Sequence, residues 1–375
     1  MRVLIAPGSF GPDLPAVEAA AAIAEGWARR APGDELLLAP LSDGGTGYLA
    51  VLRQSLGGSL LTVSATSVTG ARTPATILVV GDTAYLEAAQ VAGVTADRFD
   101  VETASSLGVG LLVAQALALG LERVVVGVGA SGVASNDGGA GLLAALGATS
   151  EPTGLLTGGS SRLGSVLGVD LAPALELVGS TRLVLVSDDD VPLLGLRGTT
   201  NAAGRSRGLA PERIPAVDAA LEHYAGVVGR RTALAAGAGA GGGIGYGLML
   251  AGAAKRSGLG AVMADLGLLA KADAADLVVT GELALDLSFG SGLVATSVAA
   301  AAGSVATPCI ALAARLGMGA RELRALGIES AYAVPDDGPA EDAPVTAELV
   351  AARAERVART WSWSRSAPPA HPGRC

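Results

Sequence analysis

A short apolar run, then a loop of glycines and small residues carrying an acid, then an Ala/Leu-rich helix: this triplet recurs along the chain and limits its fold more than any other feature. The fullest example is Gly127 to Gly147, GVGASGVASNDGGAGLLAALG, entered by the run Arg123 to Val128 and left by a helical pattern from about Gly139. Strands that are apolar throughout, instead of alternating, belong to a parallel sheet covered on both faces. A strand feeding a glycine-rich loop and a helix is also a place to hold an anion. Small residues let backbone N–H groups approach it, and the helix N-terminus adds partial positive charge. Asp137 adds a carboxylate there, suited to metal ligation or proton transfer. Gly127-x-Gly129-x-x-Gly132 also matches the dinucleotide fingerprint, with Glu151 about where a ribose-binding acid would sit. Yet Asn136-Asp137-Gly138-Gly139 stands where the plain helix of a nicotinamide-binding domain would run.

The same grammar opens the chain. Arg2 to Ala6 reads as a buried strand ended by Pro7-Gly8, a helix follows from Asp13 or Pro15 to about Arg30, and Glu35 to Ala39 is the next strand. LSDGGTG at 41–47 again sets a carboxylate before paired glycines. From Ser59 to Glu87 the pattern changes to alternating, Thr-rich strands broken by Gly70 and Gly81-Asp82, which reads as antiparallel hairpins and puts a boundary near residue 62. Leu183 to Val186 is a strand leading into SDDDVPLLG at 187–195. Thr199 to Glu212 reads as a loop, Ala216 to Val228 as a helix, and Gly237 to Gly247 as a turn or hinge. Parallel-type strands return at Asp276 to Thr280, Pro308 to Ala313 and Ser330 to Val334. The expected organisation is a Rossmann-like domain over 1–62 and 262–360, an inserted α/β domain over 63–261, a cleft between them, and a flexible tail over 361–375.

Composition excludes several function classes. Apolar residues make up 50% and charged residues 16%, so the body of the chain can bury a core. A net charge of −9 argues against a nucleic-acid partner, whose phosphates it would repel. The two cysteines, Cys309 and Cys375, form no disulfide framework and point to a reducing, cytoplasmic setting. The two histidines, His223 and His371, leave little for a His-based metal site or triad. No signal peptide or membrane span is expected. The partners are a small-molecule substrate and, for assembly, a monomer or homodimer.

Acids that follow strands are Asp43, Asp137, Asp188 to Asp190, and Glu282 with Asp286. Ligands of open α/β sheets bind beyond the carboxyl ends of the strands. Carboxylates facing a phosphate repel it unless Mg2+ lies between them. The combination points to phosphoryl transfer from a Mg-nucleotide, one carboxylate accepting an alcohol proton and one or two facing the metal. The bland alternative for each acid is a helix cap or turn residue, the common fate of Asp before Gly.

These motifs, with IAPGSF near the start, LEAAQVAG at 86–93, GAGAGGGIGYG at 237–247 and TGELALD at 280–286, resemble those of the type I glycerate kinases, in the same order over residues 1 to 335. The resemblance implies that family's two-domain fold and phosphorylation of D-glycerate, or a related small hydroxy acid, by ATP with Mg2+. It implies a catalytic set of Asp188 or Asp190 as the proton acceptor with Asp43 and Asp137, the last two also facing the metal. Ser9, Ser42, Glu282 and Asp286 would meet the substrate. Gly127, Gly129, Ser131, Asn136, Gly138, Gly239 and Gly241 would hold the nucleotide.

The chain departs from the family at several positions, among them two lysines and one arginine. Gly8 and Gly11 stand where the family has Asp and Lys, Leu283 and Ala284 where it has Gly and Arg, Ser288 where it has Gln, and Leu293 where it has Lys. Val191 replaces an Asn. Arg72, Arg197, Arg205 and Arg207 are the candidate substitutes. Phosphoryl transfer rests largely on electrostatic stabilisation, so these losses predict weak turnover. The alternative is an impaired paralogue that keeps a ligand-binding or regulatory role.

Overall fold

Thirteen strands carry the architecture of the computed structural model, which describes residues 1–93, 99–129, 132–286, 293–335 and 344–362. In chain order they are β1 (Arg2–Ile5), β2 (Glu35–Leu38), β3 (Ser59–Thr66), β4 (Arg72–Val80), β5 (Thr83–Glu87), β6 (Arg123–Gly127), β7 (Thr149–Glu151), β8 (Gly168–Asp170), β9 (Arg182–Val186), β10 (Ala254–Arg256), β11 (Leu277–Leu285), β12 (Cys309–Leu316) and β13 (Ser330–Ala333). Two units result: Met1–Leu41 with Gly267–Cys375, and Ser42–Leu266 between them.

The first unit holds a five-stranded sheet in the order β13-β12-β11-β1-β2, every pair parallel. Its strands read as unbroken apolar runs because helices cover both faces. Val3, Ile5, Leu277, Val279, Ile310 and Leu312 share one buried core with Ile23 and Trp27 of the helix Ala16–Arg30 and Val350 and Val357 of the helix Ala347–Trp361. Those two helices approach backbone to backbone at Gly26, where a Cβ would fall 1.9 Å from the Ala351 carbonyl oxygen. β1 lies between β2 and β11, with Val3 opposite Leu277, so the second unit is an insertion in the α/β sheet.

The second unit holds a six-stranded mixed sheet, β10-β9-β6-β5-β4-β3. β5, β6, β9 and β10 run parallel, and β3, β4 and β5 form the expected antiparallel meander. Alternation decides the two faces. Ala84, Leu86, Val124, Val126, Leu183 and Leu185 enter the large core, while Tyr85, Arg123, Val125 and Val184 point the other way.

Two expectations change. The division falls after Leu41, not near residue 62, because β3 spans that position and pairs along its whole length with β4. Thr199 to Glu212 is no plain loop, since it includes the helix Thr199–Ala203. Among the described residues no helix is long and apolar enough to cross a membrane. Residues 363–375, most of the expected tail, lie outside the described part.

Candidate functional site

In the second unit, the loop after Leu41 packs on the ends of β6 and β9 through glycines. Gly44 has φ +98°, and a Cβ on it would lie 2.9 Å from the Val186 carbonyl oxygen. A Cβ on Gly127 would lie 2.6 Å from the Gly44 carbonyl oxygen, and one on Gly129 2.4 Å from the Gly45 Cα. The two loops therefore interlock backbone against backbone, and only glycine permits that approach. Ser42 Oγ accepts from Gly44 N at 3.2 Å, and Asp43 Oδ1 accepts from Gly45 N at 2.9 Å. Glu87, at the end of β5, accepts from Gly47 N and Leu49 N, both at 3.2 Å, and so caps the helix Tyr48–Leu56 from outside it. Burial pushes the Glu87 carboxyl above the usual range, against those N–H groups.

Asp188 follows β9. Its Oδ1 accepts from Ser257 Oγ at 2.6 Å and Gly258 N at 3.0 Å, and its Oδ2 from Leu259 N at 2.6 Å. These donors are the start of the helix Gly258–Asp265, whose N-terminus favours a carboxylate. Gly258 is also where Asp43 arrives: a Cβ there would fall 2.0 Å from the Asp43 carbonyl oxygen and 3.0 Å from Asp188 Oδ2. Asp43 and Asp188 are thus brought together, each half-buried, with exposed Thr46 and Ser257 in the same loops. Asp190, exposed, is paired with Lys255 at 2.5 Å. This lysine escapes sequence reasoning. The usable signal is its place in β10, which lies beside β9 with Lys255 opposite Leu185. Burial raises the Asp189 carboxyl, while its Oδ1 accepts from Val191 N at 2.9 Å.

Asp137 does not join them. It is fully buried, and its Oδ2 accepts from Ser106 N at 2.7 Å, Ser106 Oγ at 2.9 Å, Gly141 N at 3.2 Å and Ser105 Oγ at 3.4 Å. Its Oδ1 accepts from Gly139 N at 3.1 Å. Burial raises this carboxyl despite the donors. A carboxylate so enclosed ties two helix starts together. Asn136 is likewise interior, donating to Thr200 Oγ1 and accepting from Arg207 Nη1, each at 3.0 Å. Arg207 is therefore occupied within the unit, with burial lowering its pKa to about 10.

The glycines expected to cradle phosphate have a packing reason of their own. A Cβ on Gly138 would meet Leu221 at 3.0 Å, on Gly239 the Pro192 carbonyl oxygen at 2.4 Å, and on Gly241 Val128 at 2.7 Å. The stretch Gly237 to Gly247 is no exposed hinge: Ala240 to Leu248 are all buried. Ser131 lies outside the described residues. Among the described residues no group of three or more His, Cys, Asp or Glu could hold a metal.

In the first unit, at the ends of β1 and β11, Ser9 Oγ donates to the Gly11 carbonyl at 2.7 Å and accepts from Gly11 N at 3.1 Å. Glu282 Oε1 accepts from Ala295 N at 2.7 Å, in the first turn of the helix Leu293–Ser304. Asp286 is half-buried just past β11. A Cβ on Gly8 would fall 2.9 Å from Val294 Cγ2, and one on Gly11, at φ +112°, 3.7 Å from Leu283 Cδ1.

A family model described as the glycerate kinase family matches residues 3–362. The chain belongs to the glycerate kinase family. It is 32% identical over 373 residues to the glycerate kinase of Bacillus subtilis (strain 168), covering 96% of each chain. It is 31% identical over 346 residues to the glycerate 2-kinase of Escherichia coli (strain K12), covering 89% of this chain and 90% of that one. The crystal structure of a protein described as glycerate kinase 2 from Salmonella typhimurium LT2 superposes with a TM-score of 0.79 at 31% identity, covering 96% and 98%.

Two glycines near the start of the chain lie against apolar side chains of the first unit. Gly8 faces Val294, the neighbour of Leu293, and Gly11 faces Leu283. A side chain at Gly8 would require Val294 to move. Ser288 lies outside the described residues.

Proposed function

We propose that this protein phosphorylates D-glycerate, or a small hydroxy acid close to it, from Mg-ATP, and does so slowly. The observation that carries the reading is the meeting of Asp43 and Asp188 at Gly258. A carboxylate offers about four acceptor sites. Three of those on Asp188 are taken by donors that fix its orientation, which leaves capacity for a substrate hydroxyl. In this mechanism the hydroxyl gives its proton to Asp188 as its oxygen forms a bond to the γ-phosphorus, and ADP leaves with the electrons of the broken P–O bond. Asp190, held by Lys255, is the secondary candidate for the base.

Magnesium enters as part of the Mg-nucleotide substrate. Asp43 is the carboxylate suited to face it, in keeping with the one or two carboxylates that magnesium takes from proteins. Lys255 is the cation suited to offset charge on the phosphates, and the exposed hydroxyl of Thr46 can donate to them. Ser9, Glu282 and Asp286 remain assigned to the substrate on the family resemblance, with Ser42 supporting the Asp43 loop.

A second reading has its own support. Val294 and Leu283 stand against Gly8 and Gly11, where the family resemblance places charged groups, and this favours a protein that binds a ligand without turning it over. A coupled ADP-release assay with D-glycerate and Mg-ATP, run beside Asp43→Asn, separates the two. Release above that control supports the kinase. Release equal to it rejects the kinase, and calorimetry with ATP alone then tests the binding role.

A further inference from the structure

The face of the six-stranded sheet turned away from the large core carries a cavity of about 690 Å³ whose lining has only Ser257 in common with the phosphoryl-transfer reading. Its floor is apolar, built from Val125 and Val184 of the sheet and Ala261 of the helix Gly258–Asp265. Around that floor stand Arg123, Arg182 and Arg256, against one lining carboxylate, Asp265.

Two details of the arginines mark this as more than a charged surface. Arg123 and Arg182 are direct partners in the β6–β9 ladder, so two like charges lie side by side, an arrangement that costs stability when nothing neutralises it. The Nε of Arg123 is buried with no hydrogen-bond partner, although its Nη2 donates to Tyr85 Oη at 3.0 Å. Buried donors are normally satisfied, and an exception calls for a missing partner. Arg182 also reaches Glu122 at 3.3 Å, but both side chains are 71% exposed, so this is a surface pair that an anion can displace.

We propose that the cavity binds a small organic phosphomonoester. Guanidinium groups match phosphate oxygens in pairs and are the usual choice for such recognition. Three cations set against one acid complement the charge of about −1.5 to −2 that a phosphomonoester carries at neutral pH. The apolar floor takes the organic part, which inorganic phosphate lacks. Ser257 both lines this cavity and donates to Asp188, so the two sites share a residue.

Phenyl phosphate is the probe, titrated into the full-length protein by calorimetry, with phenol, inorganic phosphate and citrate in parallel. Saturable binding of phenyl phosphate is expected, tighter than inorganic phosphate and absent for phenol. Arg182→Gln and Arg256→Gln, both at exposed positions, are each expected to weaken it by about tenfold or more, the scale of one charge-assisted hydrogen bond. Arg123→Gln is expected to do the same, and the two exposed variants keep the test valid if it fails to fold. No saturable binding, or unchanged affinity in the arginine variants, overturns the proposal. Citrate binding tighter than phenyl phosphate, with the same dependence on arginine, overturns the choice of a phosphomonoester in favour of a polycarboxylate.

Discussion

Asp137 and Asp188 begin from the same sequence context, an acid in a small-residue loop just past an apolar strand, and end in opposite situations. Asp137 is buried, with five hydrogen bonds from two helix starts and a serine pair. Asp188 is half-buried at one helix start, with three donors and room for another. The difference comes from what long-range packing delivers to each acid. Ser106 reaches Asp137 from 31 positions upstream, and Gly258 reaches Asp188 from 70 positions downstream. A strand-end acid is therefore a structural tie or a candidate for chemistry according to its donors, and its local motif does not distinguish the two.

The largest effect on stability is expected at the buried member. Asp137→Ala strands several buried donors, and the unfolding free energy should fall by about 3–5 kcal/mol, the range for removing one partner of a buried charged network. Urea denaturation measures it. A loss below about 1 kcal/mol would erase the contrast, since that is what an exposed acid costs. Gly258→Ala comes next, because its methyl would collide with the Asp43 carbonyl oxygen at 2.0 Å. Overpacking of this kind costs about 1–3 kcal/mol, and a lowered melting temperature should accompany reduced turnover.

The smallest expected effect is one of pH at Glu87, a buried cap that behaves as Asp137 does. Burial raises its native pKa, so the folded chain holds this proton more tightly than the unfolded chain. The resulting stability is complete below the ordinary glutamate value of about 4.3 and is lost as pH rises through the raised native value. Replacing Glu87 by Gln should flatten the fall of stability with pH across that window, as read from denaturant midpoints. An unchanged slope would place Glu87 with the solvated acids.

Sheet and helix positions were largely legible because buried parallel strands have to be apolar along their whole length. β1, β9 and β12 were therefore visible as unbroken runs, and the alternation of β3 to β5 marked the antiparallel part. The unit boundary was not visible, since the loop after Leu41 contacts β6 and β9 through backbone at glycines, which leaves no apolar signature. At the candidate site, Asp43 and Asp188 stood out because ligands of open α/β sheets bind beyond the carboxyl ends of the strands. Lys255 was missed because its nearness to Asp190 depends on β10 lying beside β9. At Gly138, Gly239 and Gly241 the sequence cannot separate two causes: close backbone packing and phosphate binding require the same absence of a side chain.

The central claim is that Asp188 accepts the substrate proton beside Asp43. Phosphorus NMR of the full-length protein with D-glycerate and Mg-ATP, beside Asp188→Asn, tests it directly. The account predicts a slowly growing phosphomonoester signal that Asp188→Asn reduces by about 10²–10⁴, the usual worth of a positioned base, with the melting temperature little changed. A phosphomonoester signal that grows equally fast in the variant would contradict it.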